Sequence, residues 1–162
     1  MMLFTTAALC DTYAQQKNFQ IAEPIFKTFG NKSAFYGQIT TLKVFEDQKL
    51  IEQVLQTPVV NRVLVIDGGG SHRCALLGAD YATIAYENGW QGLIIYGCVR
   101  DSDVLATLPI GIRALHSHPL KSYHRDLGER DNALTFAGVN FKTDHFLYAD
   151  NDGIIVSDVM LG

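Results

Sequence analysis

The chain has 162 residues, of which 48% are apolar and 19% charged, an ordinary soluble composition long enough for one domain (residues 1–162) with a sizeable core. The formal net charge of -4 and a sequence pI of about 5.6 argue against a direct, sequence-independent grip on nucleic acid phosphates. A basic protein surface, or a small acid held in a local positive pocket, remains compatible with that balance.

The opening stretch "MMLFTTAALCDTYAQQ" lacks the basic start and long apolar run of a signal peptide. No segment approaches the roughly 18 apolar residues of a membrane span. Cys10, Cys74 and Cys98 are odd in number, widely spaced and form no CxxC, the pattern of reduced thiols in a cytoplasmic protein.

Taken in chain order, "TTAALCDTYAQQ" reads as a helix capped by Thr5 or Thr6. Residues 33–45, "SAFYGQITTLKVF", are rich in aromatic and β-branched side chains and read as a strand. "DQKLIEQVLQT" places Leu50, Ile51, Val54 and Leu55 at helical spacing. The apolar run Val63 to Ile66 ends in Asp67 and three glycines, a buried strand opening into a loop. "GADYATIAYENG" follows as a helix stopped by Gly89, and "GLIIYG" as a second buried strand. Strand, loop, helix and strand form a βαβ unit, so the two strands should be parallel. A short helix, "SDVLATL", ends before Pro109. Beyond it "IGIRALHSHP", "LTFAGVNF", "HFLYAD" and "GIIVS" read as short strands between Gly, Asn and Asp turns. The expectation is an α/β domain, a βαβ core joined to a strand-rich C-terminal half, with more than one sheet layer.

Ligands in βαβ units bind at the carboxyl ends of the strands. Two features converge there: the glycine loop 68–70 with the helix start at Gly78, and the pair Arg100-Asp101 past the next strand. A helix N-terminus offers free amides and a partial positive charge to a carboxylate or phosphate, and Gly78 permits close approach to the backbone. Arg100 can fork onto the same anion, and Asp101 is a hard oxygen ligand for a magnesium-like cation. Together they describe a site for a small acid chelated to a metal. The competing reading is an exposed Arg100-Asp101 ion pair with Asp101 as helix N-cap.

Four further candidates carry less chemistry. Cys98 is a potential nucleophile without an obvious partner. "DGGG" is not a GxGxxG nucleotide motif. His116, His118 and His124 lack the close fourth ligand a zinc site wants, and read as exposed or packed histidines. Asp67 reads as the cap of its glycine turn. No lysine stands near the two strand ends in sequence, so a Schiff base has no visible carrier and a metal would have to do the electrophilic work.

The stretches "LCDTYAQQ", "AEPIFKTFG", "GQITTLKVFED", "VLVIDGGGSHRCALLGAD", "GLIIYGCVRDSD", "GERD" and "LYADNDGIIVS" resemble, in order and over nearly the whole chain, the RraA-like family. That family takes its name from the regulator of ribonuclease E activity A. Its superfamily contains the class II 4-hydroxy-4-methyl-2-oxoglutarate aldolases, and members were once labelled menaquinone methyltransferases. The resemblance implies a three-layer β/β/α swivelling-domain fold and a homotrimer with clefts between subunits. It implies a lyase that needs a divalent metal cation, Mg2+ being the expected one, and takes small α-keto acid substrates. Such an enzyme releases pyruvate through a metal-stabilised enolate and also decarboxylates oxaloacetate.

By the same resemblance Gly78, Ala79, Asp80 and Tyr81 supply the amides that bind the substrate carboxylate. Arg100 is the substrate-binding and catalytic arginine, and Asp101 the catalytic, metal-binding aspartate. Gly78 and Arg100 have 21 residues between them, matching the family spacing. The chain departs from the enzymes at two positions. Ala79 stands where they carry an acid directly after the glycine, with Asp80 next. Val104 stands where they carry an acid three residues after the aspartate, with Asp103 one place early. The other function the resemblance implies is a trimeric protein inhibitor of ribonuclease E, whose acidic surface would meet basic RNA-binding segments of that enzyme.

Overall fold

Runs of β-branched and aliphatic residues set the centre of the molecule. The computed structural model describes residues 3–162, so Met1 and Met2, the first residues of the stretch tested for a signal, lie outside the described residues. Among the described residues the strands β3 (Phe35–Val44), β4 (Arg62–Asp67), β6 (Trp90–Val99) and β7 (Gly111–Ser117) pair in that order, all parallel. The helices α2 (Lys49–Leu55) and α3 (Ala79–Glu87) make the first two crossovers. A short β5 (Ala75–Leu77) joins the far end of β6 in parallel, between the glycine loop and α3. The parallel βαβ pairing expected from sequence is therefore present, with one extra strand inside its loop.

The strand-rich half closes the antiparallel side. β11 (Phe146–Asp150) pairs with β3, and β12 (Gly153–Ser157) with β11. β9 (Leu134–Phe136) and β10 (Val139–Phe141) form a separate hairpin around Ala137 and Gly138, both at positive φ. Two-residue strands β1 (Gln20–Ile21) and β2 (Lys27–Thr28) finish the sheet edges, and β8 (Gly128–Arg130) pairs with the end of β3. These three are too short for periodicity to reveal.

Alternation along β4 separates two cores. Leu64 and Ile66 pack with Ile51, Leu55, Ala82 and Ala85 on the helix side. Val63 and Val65 pack with Phe136, Val139 and Phe141 on the hairpin side. The result is α/β with β/β/α layering, a curled sheet between helices and hairpin. α1 (Thr6–Tyr13) starts where expected: the Thr5 hydroxyl accepts the Ala8 amide at 3.1 Å. α4 (Ser102–Leu105) is shorter than expected. The amides of Thr107 and Leu108 turn back onto Val104 and Leu105, an i to i−3 tightening that ends the helix before Pro109.

Gly92 and Gly111 face each other across β6 and β7, and the Phe35 ring fills the slot they leave. A Cβ on Gly111 would meet a Phe35 ring carbon at 2.1 Å, and one on Gly92 at 2.3 Å. Phe35 is 2% exposed and carries the Arg113 guanidinium 5.2 Å from its centroid, so the ring has nowhere to retreat. Gly111→Ala should cost about 1–3 kcal/mol in urea unfolding, while Gly153, half-buried but with nothing within 4 Å of the added carbon, should accept alanine at a cost below that range.

Candidate active site

β6 leaves the sheet at Val99, and the next two residues turn sharply. The Arg100 amide donates to the Leu77 carbonyl at 2.9 Å, which ties this exit to the end of β5. Asp101 adopts the left-handed region, φ 62 and ψ 41, a conformation Asp tolerates better than most residues. It occupies the N-cap position of α4 but makes no side-chain cap. Its carboxylate points the other way and accepts the Ala79 amide at 2.8 Å, at the start of α3.

Gly78 makes that contact geometrically allowed. A Cβ there would lie 2.6 Å from Asp101 Oδ2 and 3.2 Å from Arg100 Cγ. The close approach expected at this glycine is therefore made by Asp101 itself. Ala82 is the first α3 amide bonded within the helix, to Gly78 O at 3.1 Å. The amides of Asp80 and Tyr81 stay open to a ligand. Arg100 and Asp101 form no ion pair with each other. The resulting polar cleft, about 70 Å3, is lined by Gln48, Gly78, Asp80, Tyr81, Arg100, Asp101 and Lys121.

Gln48 and Lys121 were not visible in the sequence reading, and Lys121 corrects it: a lysine does stand at this site. It arrives on the segment after β7, which is tied down along its length. Ala75 donates to Leu120 O, Ser122 to Ala75 O, Gln48 to Tyr123 O, and Tyr123 to Glu46 O. Asp47, 2% exposed, finishes the tie, accepting amides from Lys49, Arg125 and Leu127 at 3.0–3.1 Å. Burial alone would raise the Asp47 carboxyl. The amides of Lys49, Leu127 and Arg125 outweigh it and hold the group below its ordinary value.

Behind the cleft, the Tyr81 hydroxyl donates to Glu52 Oε2 at 2.8 Å, and His124 Nε2 lies 3.1 Å from the same oxygen. Burial and the Glu52 bond push the Tyr81 phenol well above its usual range, so it remains a hydroxyl donor. The bonds from Tyr81 and His124 lower the Glu52 carboxyl.

The remaining candidates scatter. The glycine loop does not join the cleft. Asp67 Oδ1 accepts the Gly69 amide at 2.9 Å, and both residues line a separate open groove with Phe45, Tyr96 and Leu127. The intervening β5 separates the loop from α3, so of the first feature only the helix start at Gly78 converges with Arg100-Asp101, and the glycine loop does not. Cys98 is 1% exposed, its thiol raised by burial, and it faces a different cavity from Arg100. His116 contacts Lys27, His118 Nδ1 accepts the Leu120 amide, and His124 meets Glu52. Of the two displaced acids, Asp80 reaches the cleft lining, whereas Asp103 does not and Val104 is exposed.

The donors able to hold a cation here are the Asp101 and Asp80 carboxylates and the Gln48 amide oxygen, without thiolate or imidazole. Such a sparse, hard set fits Mg2+, which keeps several waters and needs only one or two carboxylates.

Comparison with known proteins gives a consistent result. A family model described as RraA-like, Aldolase/RraA, matches residues 6–156. A Methylococcus capsulatus protein, 62% identical over 99% of both chains, is provisionally named a 4-hydroxy-4-methyl-2-oxoglutarate aldolase, as is one from Aromatoleum aromaticum at 49% over 99% of both. A Geobacillus kaustophilus structure described as an S-adenosylmethionine:2-dimethylmenaquinone methyltransferase is 42% identical, with TM-score 0.94 over 98% of this chain and 97% of that one. The RNA-processing inhibitor RraA from Thermus thermophilis is 39% identical, with TM-score 0.94 over 99% and 96%.

Asp47→Ala should lower stability by about 2–3 kcal/mol by stranding the amides it serves. The folded-state carboxyl lies below the unfolded value, so its contribution is complete above about pH 4 and is lost as pH falls through the folded value. Urea unfolding of wild type and variant between pH 7 and pH 2 should show the gap narrowing on acidification.

Proposed function

The chain belongs to the RraA-like family, and from that premise we propose that it is a divalent-metal-dependent class II aldolase. It cleaves 4-hydroxy-4-methyl-2-oxoglutarate into two pyruvates and decarboxylates oxaloacetate at the same site. The observation that carries this reading is the cleft itself. Arg100, Lys121 and the open amides of α3 surround a space beside Asp101, an arrangement suited to a dicarboxylic keto acid. The similarity to relatives named for this activity supports it.

Each group then has a task. The Asp80 and Tyr81 amides, at the positive end of α3, hold one carboxylate. Arg100 forks onto the keto acid end, and Lys121 balances the second carboxylate. Cleavage breaks the bond between C3 and C4. The C4 hydroxyl gives up its proton to water as C4 becomes a ketone, the bond pair passes into the pyruvate enolate, and water then returns a proton at C3. In oxaloacetate the same electron flow follows loss of CO2. Asp101, with Asp80 or Gln48, would hold a divalent cation, which would supply positive charge against the developing enolate. Gly78 keeps the Asp101 carboxylate seated at the helix start. A homotrimer and a cytoplasmic setting belong to the same proposal.

A second reading has its own support, the likeness to the Thermus RNA-processing inhibitor. On that reading the acidic chain docks on ribonuclease E through protein contact. A pull-down with purified ribonuclease E at low salt should retain the protein and release it as salt rises; absence of binding at low salt would remove this reading.

For the enzyme, pyruvate release from both substrates should require a divalent cation and stop with chelator. Asp101→Ala should lower kcat by about 100-fold or more. Lys121→Met should raise KM about tenfold with a smaller effect on kcat, because its charge meets the ground state and transition state alike. Metal-dependent pyruvate release that survives Asp101→Ala would overturn the proposal.

A further inference from the structure

A second cavity lies at the carboxyl ends of β6 and β7 and shares no lining residue with the cleft. It measures about 430 Å3 and is walled by Lys27, Phe29, His72, Cys98, His116 and Ser117. Strand pairing assembles it. Cys98 stands opposite His116, and Lys27 opposite Ala114 on the edge strand β2. His72 enters from the loop between β4 and β5, its ring edge-on to His116 with centroids 4.7 Å apart. Lys27 Nζ lies 2.9 Å from His116 Nδ1.

The hydrogen-bond inventory is one-sided. The lysine ammonium carries three N–H groups and donates one to Nδ1 of His116. An imidazole accepting there must carry its proton on Nε2, so it presents a further donor. His72 and the Ser117 hydroxyl add more. No aspartate or glutamate lines the cavity, although acidic residues outnumber basic ones in the chain, 17 to 13. One ammonium with imidazole and hydroxyl donors, and no carboxylate to neutralise it, is the complement of an anion. We propose that this cavity binds a small oxyanion of the sulfate or phosphate type, held by Lys27, His72, His116 and Ser117, at a site distinct from the Arg100 cleft.

Proton uptake accompanies binding. Burial, then Lys27 and His72, holds the His116 imidazole below its ordinary value, so it is neutral at pH 7. The groups facing it are Lys27 from β2, His72 from the loop, and Cys98 from β6, whose thiol burial keeps protonated. An anion placed among them reverses the sign of the local field and favours imidazolium. Affinity should therefore rise as pH falls from about 8 towards 6.

The imidazole Cε1–H resonances of the full protein report this directly, with sodium sulfate titrated against sodium chloride at matched ionic strength. The five histidines are assigned by substitution. Saturable shifts of His72 and His116, with a raised His116 midpoint, are expected in sulfate alone, while His124 and His145 follow the chloride control. Lys27→Gln and His116→Gln, both at exposed side chains, should each weaken sulfate binding about tenfold. Linear shifts equal in the two salts, or unchanged affinity in both variants, would overturn the site as mere screening. Tight Zn2+ binding by the two histidines without any sulfate response would overturn it in favour of a metal pair.

Discussion

The contact between the Asp101 carboxylate and the Ala79 amide, made over the bare α-carbon of Gly78, constrains everything around it. It joins the exit of β6 to the entrance of α3, two points 22 residues apart in the chain. Any side chain at position 78 would occupy the space of the carboxylate oxygen. The left-handed backbone of Asp101 aims its side chain back toward α3 rather than onward into α4. That turn is the reason Asp101 caps no helix with its carboxylate, and the reason Arg100 and Asp101 do not neutralise each other. A surface ion pair would have needed neither the glycine nor the unusual backbone. Backbone strain at a residue that also lines a polar cleft fits the pattern in which fold stability is spent on function.

A second constraint acts from the opposite wall. Lys121 and the segment that carries it have little apolar burial, with Leu120 and Tyr123 both exposed. What holds the segment is polar: the bridges of Ala75 with Lys121 and Asp47 with Tyr123, and the amides gathered by Asp47. Placing a carboxylate beneath a loop of otherwise unpaired amides satisfies both without needing a hydrophobic anchor. The Glu52 carboxylate does similar work one turn along α2, where it receives Tyr81 from α3 and His124 from the same segment. Thus α2 contributes no group known from a motif, yet it fixes the positions of both walls.

The division between what sequence revealed and what it concealed follows from the range of the interactions. The parallel core was legible because Val63 to Ile66 and Leu93 to Ile95 are continuous buried runs, and such runs need partners on both faces. Thr5 and Gly89 carry local signals that act within a few residues, whereas "LTFAGVNF", which reads as one strand, folds back on itself at Ala137-Gly138 into the hairpin of β9 and β10. Arg100, Asp101 and Gly78 were also legible, since adjacency and family spacing mark them. Lys121 was not. It lies far from Gly78 in the chain, and what delivers it is backbone bridging plus amides gathered by Asp47, more than seventy residues earlier, which leave no local signature. The glycine loop misled for a related reason: β5 is three residues of ordinary aliphatic sequence, and its pairing with β6 redirects the chain. Two- and three-residue strands offer no period to detect.

Strand alternation explains why one sheet end can carry two separate spaces. Val99 turns into the helix-side core, packed with Leu77 and Leu105, while its neighbour Cys98 faces the cavity under β2. The chain then leaves the strand, and Arg100 joins the α3 side through its amide bond to Leu77. The apolar wall of Val99 and Leu77 therefore lies between the Arg100 cleft and the Lys27 cavity. Positive charge on one side is insulated from the other by low-dielectric packing rather than by an intervening carboxylate. If both proposals hold, one sheet end recognises a keto acid on one face and a second anion on the other, with Val99 and Leu77 packed between them.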